Sequence, residues 1–313
     1  MKEILLVAVL MSSIASSALA ENIGVSMSLF DDNLLTVMRN DMTNYATTLN
    51  GVTLQIEDAQ NDVAKQQSQV QNFIAAGVDA IIVNPVDTDA TAAISKIASN
   101  AGIPLVYVNR LPVNLGKLPP KQAFVGPDER ESGTLQTKEI CRLLKQAGKT
   151  KANIVVMMGE LSNQAARQRT QDVHEVIATP ECSFMKIVEE QTANWSRTQG
   201  ADLMSNWLSA GVQFDAVVSN NDEMAIGAIQ AMKAARVDMK TMIVGGVDAT
   251  QDALAAMAAG DLDVTVFQNV VGQGRGALDA ALKLARGKKV EQKVFVPFEL
   301  VTPANLQNYR AKN

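Results

Sequence analysis

The stretch Phe214-Asp215-Ala216-Val217-Val218-Ser219-Asn220-Asn221-Asp222-Glu223-Met224-Ala225-Ile226-Gly227 decides how the chain folds. Its first half is a short aliphatic run, and its second half opens a series with helical spacing: Met224, Ile226, Ile229, Met232 and Ala235. A buried strand therefore feeds a helix, and the polar cluster Ser219 to Glu223 falls at the strand's carboxyl end. In open parallel sheets that rim binds ligands, because the loops splay apart there and helix N-termini point into the crevice.

The first half of the chain repeats this grammar. Gly77-Val78-Asp79-Ala80-Ile81-Ile82-Val83-Asn84-Pro85 echoes the run from Gly211 to Asn221, each with a Gly turn, an Asp-Ala pair, an aliphatic strand and a terminal asparagine. Two such units suggest two similar lobes, each bringing amides to one place. The competing reading is that asparagines end strands because they form turns well.

At 313 residues the chain exceeds the size at which a single core keeps growing, so two domains are expected. Hydrophobic residues make up 47% and charged ones 19%, enough apolar material for two cores. The net charge is −5 with no basic run, which argues against nucleic acid and anionic membranes as partners. Residues 1–20 resemble a secretory signal peptide. Lys2 precedes an apolar run, Ile4 to Met11, that decays into Ser and Ala and ends at Ala18-Leu19-Ala20. The mature chain then begins at Glu21 in an oxidising compartment. Cys141 and Cys182 are too few for a disulfide framework and lack metal-ligand spacing; sequence alone leaves their pairing open.

From Asn22 onward, strands and helices alternate. Short aliphatic strands at Val52 to Glu57, Ala80 to Val83, Pro104 to Val108 and Ala123 to Val125 are separated by helical patterns. The rhythm restarts with a helix from Glu129 to Gln146 and runs to a last helix, Gly272 to Arg286, and a last strand, Val294 to Leu300. This is an α/β chain with helices on both faces of parallel sheets.

The strand ends decide between turn chemistry and a shared site. Just past successive strands stand Ser28 with Asp32, then Asn84, Asn109 with Arg110, Trp195, Asn221, Asp248 and Gln268, with Arg167 and Arg169 in the helix after Met158. An ordinary doubly wound domain carries such groups at a few ends only, so a common site is favoured. Planar forked groups hold vicinal hydroxyls, and an aromatic face packs on the C–H side of a ring. Two arginines against two aspartates argue against a polyphosphate, and Arg110 and Asp248 would need partners from the ligand or from each other.

Catalytic signals are weak. His174, the only histidine, sits in a helical pattern beside charged residues and reads as a surface group. No nucleophile elbow, zinc motif or P-loop is present. Gly272-Gln273-Gly274-Arg275-Gly276 has its third glycine one residue early for a dinucleotide fingerprint and stands in the last βα unit. No catalytic residue, cofactor or metal is expected.

At these residues the sequence resembles the periplasmic sugar-binding proteins of ABC importers, in particular the ribose-binding-like family. The likeness is densest at Ile82 to Ala90, Ala165 to Arg169, Asn221 to Ala228 and Val244 to Asp248. It implies the type I periplasmic binding protein fold: residues 21–127 plus 269–297 in one lobe, residues 128–268 plus 298–313 in the other, and a three-crossing hinge. By position it also implies ligand contacts at Ser28, Asp32, Asn84, Asn109, Arg110, Arg169, Trp195, Asn221, Asp248 and Gln268, with Asn163 nearby. The family's adjacent aromatics after the first strand are Leu34 and Leu35 here, with Phe30 as a candidate substitute, and Asn109 stands in place of an aspartate. The runs Val125 to Gly133 and Pro297 to Pro303 look most like those of the inositol and rhizopine binders. The resemblance therefore implies a monomeric periplasmic receptor for a cyclitol, or alternatively a pentose or other polyol, that delivers to an ABC permease. A chemoreceptor is a further partner on which no residue bears. The LacI-type repressors share the fold, but residues 1–20 offer a leader where a DNA-binding segment would stand.

Overall fold

The computed structural model describes residues 20–312, so nearly all of the expected leader lies outside the described residues. The first run of elements is β1 (Glu21–Met27), α1 (Asn33–Thr47), β2 (Val52–Asp58), α2 (Val63–Ala76), β3 (Ala80–Val83), α3 (Thr91–Ala101), β4 (Leu105–Val108) and β5 (Gln122–Gly126). The second is α4 (Ser132–Gln146), β6 (Ala152–Met158), α5 (Gln164–Ile177), β7 (Met185–Thr192), α6 (Arg197–Ser209), β8 (Ala216–Ser219), α7 (Asp222–Ala234), β9 (Ile243–Gly245), α8 (Gln251–Ala259) and β10 (Thr265–Gln268). Then come α9 (Val270–Ala285), β11 (Lys293–Phe295) and β12 (Phe298–Val301).

One sheet has the order β11-β5-β4-β3-β1-β2, parallel throughout. The other runs β7-β6-β8-β9, also parallel, and is continued by bridges Gly245–Val264 and Asp248–Phe267 into the antiparallel pair β10-β12. β3, β4, β5 and β8 are buried along their whole length, as expected of parallel strands covered on both faces. This is the type I periplasmic binding protein fold. The two echoing glycines both take the left-handed conformation, φ 71° at Gly77 and 73° at Gly211, which sharply turns each chain from helix to strand.

Three expectations change. The last strand is two strands: Pro297 has no N–H to give a ladder, the chain breaks there, and β11 joins one sheet while β12 joins the other. The helix expected from Glu129 begins at Ser132, because residues 128–131 form a turn in which the Glu131 N–H donates to the Asp128 carbonyl (3.1 Å). Arg110 and Asp248 are not each other's partners, as detailed below.

Cys141 and Cys182 form a disulfide with Cα atoms 5.8 Å apart, tying α4 to the turn before β7. The glycine triplet in α9 serves packing: a Cβ at Gly274 would press on Met38, and one at Gly276 on Val125.

Candidate functional site

The carboxyl ends of the two sheets face each other across a small cavity of about 40 Å³. Asp32, Leu34, Leu35, Asn109 and Arg110 line it from one side, and Glu129, Asn163, Ala165, Arg169, Trp195, Asn221, Asp248 and Gln268 from the other. Eight of the ten residues singled out from sequence meet here, Ser28 and Asn84 being the exceptions.

Those two lie beneath the wall. Ser28 Oγ donates to Asn84 Oδ1 (2.6 Å), and Asn84 Nδ2 donates to Val108 O and Asn109 Oδ1 (both 3.3 Å). Asn109 Nδ2 in turn donates to Gln273 Oε1 (3.0 Å). This buried chain of amides fixes how Asn109 meets the cavity, and it uses up the hydrogen-bonding groups of Asn84.

Two other polar residues serve as caps and lining at once. Asp32 caps α1 by accepting from the Leu35 N–H (2.8 Å), and Asn221 caps α7 by accepting from the Met224 N–H (3.0 Å). The remaining Asn221 Nδ2 donates to the Trp195 carbonyl (3.2 Å). Turn chemistry and site chemistry are thus carried by the same side chains.

Arg169 is the most heavily bound group. It donates to Glu129 through Nε (2.8 Å) and Nη2 (3.2 Å), to the Asn220 carbonyl through Nη1 (2.7 Å) and to Gln268 Oε1 (3.2 Å), and lies 3.9 Å from Asp248. Burial disfavours its charge, yet Glu129 and Asp248 overcome that and hold its pKa above the ordinary guanidinium value. Arg110 shows the opposite balance. Burial lowers its pKa, resisted by Glu160 and Asp32, and its Nη1 donates to the carbonyls of Pro85 (2.9 Å) and Val86 (3.4 Å).

The carboxyls are pushed the other way. Burial raises Asp248 well above the usual range, opposed by Arg169 and reinforced by Asp222, Asp32 and Glu129. Asp222, which braces the loop before α8 by accepting from the Thr250 N–H (2.9 Å), is pushed up to about 7, also chiefly by burial. Asp32 is raised by burial as well. A site that strips water from several acids and keeps them protonatable suits hydroxyl recognition, since a carboxyl group can then accept or donate.

The apolar walls are Leu34 and Leu35 on one side and Trp195 on the other. Phe30 does not take the place of a second aromatic: the Arg39 guanidinium sits 4.1 Å from its ring centroid, and Phe30 is absent from the lining. Trp195 lies flat against Gly159, where any Cβ would overlap the indole. Three lining residues hold positive φ, Asn109 (66°), Trp195 (64°) and Asp248 (125°). Such backbone is sparsely populated by non-glycine residues and gathers where side chains must be aimed.

The mouth is closed by contacts between the two halves. Thr88 N–H donates to the Ser162 carbonyl (3.1 Å), Gln164 N–H to Thr88 Oγ1 (3.0 Å), Asn61 to Glu160 (2.8 Å) and Asn33 to Glu223 (2.9 Å), and Arg167 pairs with Asp89 (2.9 Å). His174 is on the surface, 2.7 Å from Glu190. Among the described residues no acidic, His or Cys cluster could hold a metal ion, and no helix is long and apolar enough to cross a membrane.

Sequence reasoning passed over Glu129, Gly159, Glu160 and Asn220. Gly159-Glu160 follows β6 directly, the same strand-end signal that exposed the others, while Glu129 stands three residues past β5, in the turn that leads to α4.

The family described as "Periplasmic binding protein domain" matches residues 23–289. A protein of Rhizobium meliloti, provisionally named for rhizopine binding, is 67% identical over 300 residues, 96% of each chain. An ABC transporter solute-binding protein of Bacillus halodurans, solved with bound myo-inositol, superposes with a TM-score of 0.88 at 41% identity, covering 95% of this chain and all of that one. The Caulobacter myo-inositol binding protein, solved with myo-inositol, gives 0.83 at 29% identity over 95% of this chain and 98% of that one. With two sheets of matching topology closed over one polar cavity, and a family match that spans both, this chain belongs to the periplasmic binding proteins, a family of solute receptors.

Proposed function

We propose that the chain is the periplasmic receptor of an ABC importer and that it captures a cyclitol, myo-inositol or an inositol-derived amine, by closure of its lobes. The carrying observation is the cavity in which eight of the residues expected from sequence, Trp195 among them, converge with Leu34 and Leu35. Its planar amides, guanidiniums and protonatable carboxyls match a ring that carries a hydroxyl on every carbon, and the leucine and indole walls match that ring's C–H faces. The ligand contacts are Asp32, Asn109, Arg110, Arg169, Trp195, Asn221, Asp248 and Gln268, with Ser28 and Asn84 holding Asn109 from behind. Residues 21–127 with 269–297 form one moving lobe and residues 128–268 with 298–313 the other. Ligand touches both only in the closed state, so binding and closure are one linked equilibrium, and the closed shape is what the permease engages. Export through a leader cleaved after Ala20, action as a monomer and docking to a chemoreceptor complete this reading. The relatives' names and bound ligands support it, as does the replacement of the second aromatic wall by Leu34 and Leu35, which leaves no ring pair to clamp a flat pyranose on both faces.

A thermal-shift panel of inositols, amino-cyclitols, pentoses and hexoses tests the proposal. A cyclitol at a hundredfold excess over its Kd stabilises the native state by about 2.7 kcal/mol, while pentoses and hexoses leave the melting temperature unchanged. Asp248→Ala abolishes the shift. A panel in which only pentoses or hexoses stabilise the protein refutes the cyclitol reading.

A further inference from the structure

Asp222 is fully buried at the start of α7, next to the cavity residue Asn221, and does not itself line the cavity. Its carboxylate joins two other strand ends. Oδ2 accepts from the Thr250 N–H (2.9 Å), in the loop between β9 and α8 that carries Asp248. Oδ1 accepts from the Thr265 hydroxyl (2.7 Å), in the strand that ends at Gln268. The cavity residues Asn221, Asp248 and Gln268 thus stand on segments that meet at one acid behind the wall.

The loop that Asp222 meets has an unusual shape. Asp248 and Ala249 take positive φ in succession, 125° and 54°, which non-glycine residues hold only where their surroundings over-determine them. Hydrogen bonds along the loop do so. The Gly246 N–H donates to the Val264 carbonyl (2.9 Å), the Asp248 N–H to that of Val266 (2.8 Å), and the Asp222 N–H to that of Val247 (2.8 Å). The Ala249 N–H donates to Thr265 Oγ1 (3.1 Å). A threonine hydroxyl can face either way, but with its proton directed to Asp222 its lone pairs are left for Ala249. Gly246 completes the fit, because a Cβ there would overlap Asp222 Oδ1.

We infer that Asp222 is a positioning residue for solute binding: through Thr250 and Thr265 it holds the Asp248–Ala249 turn in the backbone geometry that brings Asp248 to the cavity, and keys that turn to Asn221 and Gln268. This rests on the reading of the cavity as the solute site. The bonds all lie at the sheet β7-β6-β8-β9 and its continuation into β10, on one side of the cleft. This part of the wall is therefore set before a ligand arrives, and binding does not have to order it. A carboxylate suits the position because it only accepts, and both groups that meet its oxygens here are donors.

Calorimetry of the mature chain with myo-inositol, joined to amide hydrogen exchange of the ligand-free protein, tests this. Asp222→Ala weakens binding by about tenfold or more. It also speeds exchange at Ala249 and Thr250 by about tenfold more than at the core amides of β6, which report global unfolding. Asp222→Asn, whose oxygen still accepts from Thr250 while its NH2 faces Thr265 Oγ1, brings affinity back to within about threefold of wild type. Thr265→Val keeps the side chain's shape, removes the hydroxyl and leaves Asp222 in place; binding weakens by about threefold or more, and this variant carries the test should Asp222→Ala not fold. Wild-type affinity in Asp222→Ala or in Thr265→Val, an Asn variant as weak as the Ala one, or exchange that accelerates equally at β6 and at the turn overturns the assignment. A wild type that does not bind myo-inositol strikes the cyclitol reading instead, and the exchange rates at Ala249 and Thr250 then decide alone whether Asp222 holds the turn.

Discussion

Glu129→Gln is the perturbation that probes the site most deeply. Glu129 holds Arg169 by two hydrogen bonds, at 2.8 and 3.2 Å, and both side chains are almost entirely out of water. Removing one member of a buried pair typically costs about 3–5 kcal/mol, because the other charge is stranded. Two features move this case to the low end. The glutamine oxygen still accepts one N–H, and the Asn220 carbonyl, Gln268 and Asp248 remain around the guanidinium. Glu129 is also one of the acids that raise Asp248, so its neutralisation lets Asp248 ionise more readily and stand in as counter-charge. The expected loss is about 3 kcal/mol in urea unfolding, seen as a lower midpoint with an unchanged slope. Arg169 lines the cavity, so ligand affinity falls by tenfold or more, about 1.4 kcal/mol. Pairing the change with Asp248→Asn removes the stand-in, and the double variant loses more than the sum of the singles. An unchanged midpoint, or strict additivity in the double variant, refutes the reasoning.

Gly159→Ala drives a methyl into the Trp195 indole and moves it off the wall. Stability falls by about 1–3 kcal/mol, ligand affinity drops by tenfold or more, and the tryptophan emission shifts to the red; an unaltered spectrum with full affinity would contradict the packing. Opening the Cys141–Cys182 bridge with Cys141→Ala plus Cys182→Ala costs about 2–4 kcal/mol for a closed loop of 41 residues, and reductant lowers the wild-type midpoint but not the variant's. Identical midpoints for the two proteins under oxidising conditions would count against it. Asp172, raised by burial to about 6, retains a proton in the native state that the unfolded chain has lost. Its contribution is therefore full below about pH 4 and disappears as the pH climbs through 6. Asp172→Asn gains stability relative to wild type across that window, and a difference that stays constant from about pH 4 to 7 would exclude Asp172 as the source.

The fold was legible because parallel strands buried on both faces write themselves as short aliphatic runs, and Ala80 to Val83 or Ala216 to Ser219 need no partner to be recognised. The site was legible because the ligand rim and the strand ends coincide. The residues that escaped did so through orientation. Asn84 and Asn221 carry the same signal in sequence, yet one spends its amide on Ser28, Val108 and Asn109 while the other lines the cavity. Glu129 lies in a turn before a helix, and only the fold brings it against Arg169, 40 residues away. The break at Pro297 escaped for a different reason: the flanking residues are strand-forming on both sides, and which sheet each joins is a matter of topology.

That break has a bearing on synthesis and on engineering. β11 lies at the edge of one sheet and β12 at the edge of the other, so both sheets are finished by residues 293–301. Neither half is a contiguous fragment: a polypeptide ending at residue 127 lacks both β11 and α9, and one spanning residues 128–268 lacks β12. A ribosome must deliver nearly the whole polypeptide before β5 and β10 gain their last neighbours, β11 and β12, which makes long-range pairing the slow step and leaves an open strand edge exposed to chaperones meanwhile. Rejoining the ends and reopening the chain elsewhere, so that the shared tail emerges early, would shorten that wait without altering the finished receptor.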